Sequence, residues 1–104
     1  MCSSDLAFFT SLDDRFRSRV TVVVHSEFGR TSWANDSAGT DHGAASNSFV
    51  IGRGVQGGLL GAQPPLAGLG RWDRMAHQVD IRQMYAGILD GWLGGGSSTV
   101  LGGT

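Results

Sequence analysis

Four residues able to hold a metal ion fall in one window of this chain: His25 and Glu27, then Asp41 and His42. Carboxylate oxygen and imidazole nitrogen are donors that zinc, manganese and iron accept. Asp41 and His42 stand side by side between Gly39 and Gly43, and glycines let a backbone approach an ion or an oxyanion closely. Adjacent donors in a loop can reach one ion or two neighbouring ions. The competing arrangement is an Asx-turn at Asp41 with a surface imidazole beside it. Glu27 is expected to ligate a cation directly; its alternative is a carboxylate held by Arg30 or by loop amides. Alternation along an extended chain puts His25 on the same side as Glu27, although a histidine at a strand end also serves as a hydrogen-bonding core residue. Arg30 is placed either to orient Glu27 or to meet an anion.

The elements around these donors decide whether they converge. Val20-Thr21-Val22-Val23-Val24 is β-branched and nearly unbroken, the pattern of a strand buried on both faces. Such a strand implies a parallel sheet with helices on either side. In open α/β sheets, sites gather at the carboxyl ends of strands, which is where Glu27 stands. Upstream, Ser3 and Ser4 can cap a helix running to about Arg17, with Phe8, Leu12 and Phe16 on one face. Residues 29–47 are rich in Gly, Ser, Asn, Asp and Thr and read as one long loop. Residues 48–51 read as a short strand. Asp80 is the expected N-cap of a helix over residues 81–93, and Gly94-Gly95-Gly96 ends it.

A chain of 104 residues allows one domain. Two short strands, two helices and 17 glycines bury little area, so residues 1–104 read as a single partial domain of a larger α/β unit. The net charge of -1 gives no electrostatic case for nucleic acid or an anionic membrane. Cys2 is the only cysteine, which excludes an internal disulfide and a thiolate zinc cluster. No segment reaches the roughly 18 apolar residues of a membrane helix, and residues 1–5 lack the positive start of a signal peptide.

Gly52-Arg53-Gly54-Val55-Gln56-Gly57 matches the dinucleotide pattern G-x-G-x-x-G. That pattern needs a helix opening within it, and Gly57-Gly58, Gly61 and Pro64-Pro65 forbid one. His77 reads as a loop or helix-start residue. Trp33, Trp72 and Trp92 are too scattered for a stacking platform.

In chain order the sequence runs from a β-branched strand into S-E-F-G-R-T, then G-T-D-H-G, F-V-I-G-x-G-V-x-G-G, D-I-R-x-M-Y, W-L-G and V-L-G-G. This series, from about Leu6 to Gly103, resembles the C-terminal part of the bacterial sulfatase-like family known as domain of unknown function 1501. Members of that family look like distant relatives of the alkaline phosphatase superfamily. The resemblance implies an α/β fold, here a partial alkaline phosphatase-like α/β/α sandwich with few strands and many loops. It also implies a metal-dependent hydrolase of phosphate or sulfate esters, using a divalent metal of the Zn or Mn class on a small-molecule or polymer ester.

The superfamily places an Asp-His pair just after a late strand and a further His before the next strand. Glu27-Phe28 stands where that pair is expected, so one imidazole is replaced by phenylalanine. His42 matches the later histidine, since it too precedes a strand ending in glycine. The resemblance therefore assigns Glu27 and His42 to metal binding; composition adds Asp41, as a ligand or behind one, and His25 and Arg30 are the further residues that meet the anion or steady a ligand. It assigns no catalytic nucleophile to this chain, because that residue lies in the superfamily's N-terminal half. The implied reading is a C-terminal fragment, inactive alone, that needs the N-terminal half of an exported or periplasmic parent. The alternative is a non-catalytic, degenerate binding or structural module of the same fold.

Overall fold

The computed structural model describes residues 3–103; the expectations that concern Met1 and Cys2 fall outside them. The chain opens with α1 (Ser3–Ser11), so Ser3 and Ser4 lie inside its first turn. The expected helix to Arg17 is broken in two. The Asp13 carboxylate accepts the backbone N–H of Arg15 at 2.9 Å and starts a separate short helix, α2 (Asp14–Arg17). Aspartate competes with the helical backbone in this way. Arg17 then donates to the carbonyls of Thr10 (2.9 Å) and Leu12 (2.7 Å), closing the frayed end of α1.

The valine run forms β1 (Val22–Val24), and residues 29–47 form a hairpin instead of one long loop: β2 (Gly29–Ala34) and β3 (Thr40–Gly43). Its turn is built on Asn35, whose Oδ1 accepts the N–H groups of Ser37 and Gly39, both at 3.0 Å. An asparagine mimics a backbone turn this way, and a loop-like composition therefore concealed two strands. The next strand, β4 (Phe49–Ile51), pairs antiparallel with β1, Val23 opposite Val50. The parallel neighbours expected of β1 do not occur among the described residues. Its valines are half-buried rather than covered on both faces. β-branching reports a pleated, partly buried surface and says nothing of partner direction.

Residues 52–80 carry no helix or strand. Gly54 of the apparent dinucleotide pattern lies against the indole of Trp92; a Cβ there would come within 2.6 Å of the ring. The chain then enters α3 (Ile81–Gly91) where the sequence predicts, and the helix ends two residues before the expected 93, with Trp92 as its C-cap. Asp80 accepts the N–H of Arg82 at 2.8 Å, and Gln83 reaches back to the N–H of Asp80 at 3.1 Å, a reciprocal cap. The Arg82 side chain and backbone hold the Asp80 carboxyl down to about 2 from its ordinary 3.8. Gly94, Gly95 and Gly96 all take positive φ (91°, 121° and 103°), a conformation closed to a continuing helix of L-residues. They turn the chain into α4 (Ser97–Leu101). Asp90 of α3 accepts from the N–H (3.1 Å) and hydroxyl (2.6 Å) of Ser97, capping α4 from outside it and lowering its own pKa.

Packing is sparse. Among the described residues no hydrophobic side chain is buried, and the accessible surface is 7708 Å². A folded monomer of this mass exposes roughly 5,600 Å². The radius of gyration is 16.6 Å, against about 13 Å for a closed domain of this length. Polar ties hold the β2–β3 hairpin to the loop of residues 52–80: Trp33 Nε1 donates to the Leu69 carbonyl (2.7 Å) and Arg71 pairs with Asp36 (2.7 Å). No helix among the described residues is long and apolar enough to cross a membrane.

Candidate functional site

The hairpin fixes Asp41 and His42. Gly29 and Gly43 face each other in its register, and both are buried. A Cβ on Gly29 would overlap the carbonyl oxygen of Ala45, and one on Gly43 would come within 2.6 Å of the Arg30 carbonyl. These two motif glycines therefore serve strand closure, whatever else their bare backbone permits.

Asp41 is half-buried, and its Oδ1 accepts from Asn35 Nδ2 at 3.0 Å. The Asx-turn considered at Asp41 forms instead at Asn35, which both builds the turn and steadies the carboxylate. His42, opposite Arg30, is exposed, and its ring lies flat on Phe28 with centroids 3.7 Å apart and planes 19° from parallel. Arg30 places its guanidinium 5.3 Å from the centre of the same phenyl ring and donates to the Thr40 carbonyl at 2.8 Å. Phe28, which stands where the resemblance expects an imidazole, thus stacks on that of His42. The His42 ring makes no hydrogen bond to the described residues.

Glu27 is exposed and is not held by Arg30, which is engaged with Phe28 and Thr40. It lines a cleft of about 430 Å³ just beyond β1. The alternation expected to put His25 beside it does not extend that far, because β1 ends at Val24 and the following residues lie outside any strand. His25 instead meets Tyr85 of α3 edge-on, at 5.8 Å between centroids. The four donors of the sequence window are therefore distributed. Asp41 and His42 are successive residues of β3, not of a loop, and side chains alternate between the faces of a strand, so the hairpin does not aim them together. Glu27 faces the cleft and His25 touches α3. Phe28 joins the first two places, since it also lines the cleft. Among the described residues no three His, Cys, Asp or Glu side chains gather as a metal-binding group.

Carboxylate and imidazole suit a zinc- or manganese-class ion, and Asp41 has the outer hydrogen bond that orients a ligating carboxylate. The donor chemistry fits, and among the described residues no third donor joins such a pair.

Sequence reasoning misses two participants. Asn35 carries a signal, an asparagine followed by Asp36-Ser37 and then Gly39, the composition of a turn. His77 carries none: it lines the same cleft as Glu27 through loops far apart in the chain.

No curated protein and no solved structure matches the chain. A family model described as protein of unknown function (DUF1501) matches residues 7–92, a span holding both ribbons, the cleft and α3. The chain belongs to that family.

Proposed function

We propose that this chain supplies one side of a metal-dependent site for hydrolysing phosphate or sulfate esters, within an alkaline phosphatase-like α/β/α sandwich. The observation that carries the reading is the pair Asp41 and His42. Each is held by a neighbour, Asn35 and Phe28, in a way that leaves coordinating atoms uncommitted. Glu27 is the further donor, brought from the cleft by a change in the loop that also carries Phe28. A bound divalent ion would polarise the ester oxygen and offset charge developing on the transferred group. The chain's own residues position that ion, and Arg30 stands beside the stack as a cation for the ester's anionic group. The nucleophile and the remaining donors come from polypeptide outside this sequence, a requirement supported by the exposed surface and absent core.

A second reading, a non-catalytic binding or structural module, draws on Phe28 and on the scattered donors. Hydrolysis of 4-nitrophenyl phosphate and sulfate in zinc or manganese tests the division of labour. The chain alone is expected to give no turnover above that of the metal salt. Turnover that His42→Ala abolishes would overturn the assignment of the nucleophile to another polypeptide.

A further inference from the structure

We propose that the β2–β3 hairpin is a jointed arm, which turns about residues 26–27 and 46–48 and is latched to residues 69–71 by Trp33 and Asp36. The four strands lie along one antiparallel excursion of the chain: β1 pairs with β4, and β2 with β3 beyond them. The ladder breaks between the two halves. Val24 faces Phe49 and Gly29 faces Gly43, so residues 25–28 stand opposite 44–48, a segment one residue longer. A one-residue slip turns side chains to the other face, so the break does not close by extending either ladder. No backbone hydrogen bond bridges it among the described residues.

Contacts separate what travels with the arm from what bends. Phe28 stacks on His42 and meets the Arg30 guanidinium, one residue from each hairpin strand, and the Ala45 carbonyl lies against Gly29. Both residues therefore move with the hairpin. On the near side His25 is anchored to Tyr85 of α3. Between these points, residues 26–27 and 46–48 are exposed and belong to no strand; segments with so few packed contacts open locally at small cost. At the far end Trp33 Nε1 donates to the Leu69 carbonyl, and Asp36 in the turn pairs with Arg71, itself stacked on Trp72 at 4.9 Å. Among the described residues, no other hydrogen bond or ion pair ties the hairpin to residues beyond the joint. One hydrogen bond and one exposed ion pair make a latch weak enough to open. The arm carries Asp41 and His42 and the joint carries Glu27, so the arm's angle sets the distance between them. In that consequence alone the inference rests on the proposed function.

The test is the distance between two nitroxide labels in the metal-free chain, measured by double electron–electron resonance. Cys2→Ser removes the chain's one thiol. Ser37→Cys and Arg19→Cys then place one label on the hairpin turn and one before β1, both at exposed positions. Trp33→Phe with Asp36→Arg removes the latch. The expected result is a broader distribution of distances, with the unlatched population raised about tenfold. Adding Arg71→Asp restores an ion pair of opposite sense and is expected to return part of the narrow distribution. Hydrogen exchange in the same variants is expected to find the β2–β3 ladder still protected, which separates a released arm from an unfolded one.

An unchanged distribution in the latch-free chain overturns the inference, as does a distribution that Arg71→Asp fails to narrow. Loss of ladder protection in the latch-free chain overturns it too, since Trp33 and Asp36 would then hold the hairpin together rather than in place. Because no metal is present, a rigid arm leaves the hydrolase reading standing. A chain that ignores zinc would remove the hydrolase reading and leave the arm.

Discussion

Phe28 decides what His42 can do. Stacked face to face with the imidazole, it fixes the ring's plane, and neither ring nitrogen hydrogen-bonds to a described residue. Replacing it with histidine would put a second imidazole against the first and beside Glu27. Phe28→His is therefore expected to raise zinc affinity in calorimetric titration, whereas unchanged affinity would mean the stacked position lies away from the ion. Asn35 acts on the other donor. Asn35→Ala removes the bond that orients Asp41 and should weaken zinc binding by about tenfold. A residue that merely shapes the turn would also lower hairpin protection in hydrogen exchange; Asn35→Asp, which keeps the turn-forming oxygen but lacks the donor to Asp41, separates the two effects.

Among the elements, α3 is legible in the sequence because its signals are local: a capping aspartate, a helical stripe and a glycine stop. The hairpin is not, because its strands are short and polar and its turn depends on one asparagine side chain. β1 is legible as a strand but not in its pairing, since antiparallel union with β4 is set by the chain between them.

Two outcomes belong to this scale. Gly29→Ala presses on the backbone of Ala45 just beyond β3, and Gly43→Ala on that of Arg30 in β2. The expected cost is about 1–3 kcal/mol, read as loss of hairpin protection in hydrogen exchange.

The α3 cap predicts a pH dependence. Its Asp80 carboxyl titrates lower in the folded chain than in the unfolded one, so ionised Asp80 stabilises the helix fully above about 3.8. That contribution is lost as pH falls through about 2. Helicity followed by circular dichroism should decline across this window, less steeply in high salt because the cap is exposed. Asp80→Asn, which keeps a capping oxygen without the charge, should flatten that part of the decline.

At the scale of the whole molecule, the excess of about 2,100 Å² of surface over a closed monomer and the lack of buried hydrophobic side chains among the described residues mean few contacts are lost together on unfolding. The chain by itself should therefore bind the dye ANS and melt over a broad range; a sharp calorimetric transition without dye binding would contradict this. The expectation of a partial domain rests on the glycines and the valine strand. The cleft is beyond its reach, because loops remote in sequence build it.

The most direct measurement of the central claim is a zinc titration of the intact chain, comparing the unaltered sequence with Glu27→Gln and His42→Ala. Asp41, His42 and Glu27 acting as one side of a metal site predict saturable binding, weaker than that of a complete structural site, and reduced by about tenfold or more in each variant. Zinc binding that is absent, or indifferent to both substitutions, would contradict it.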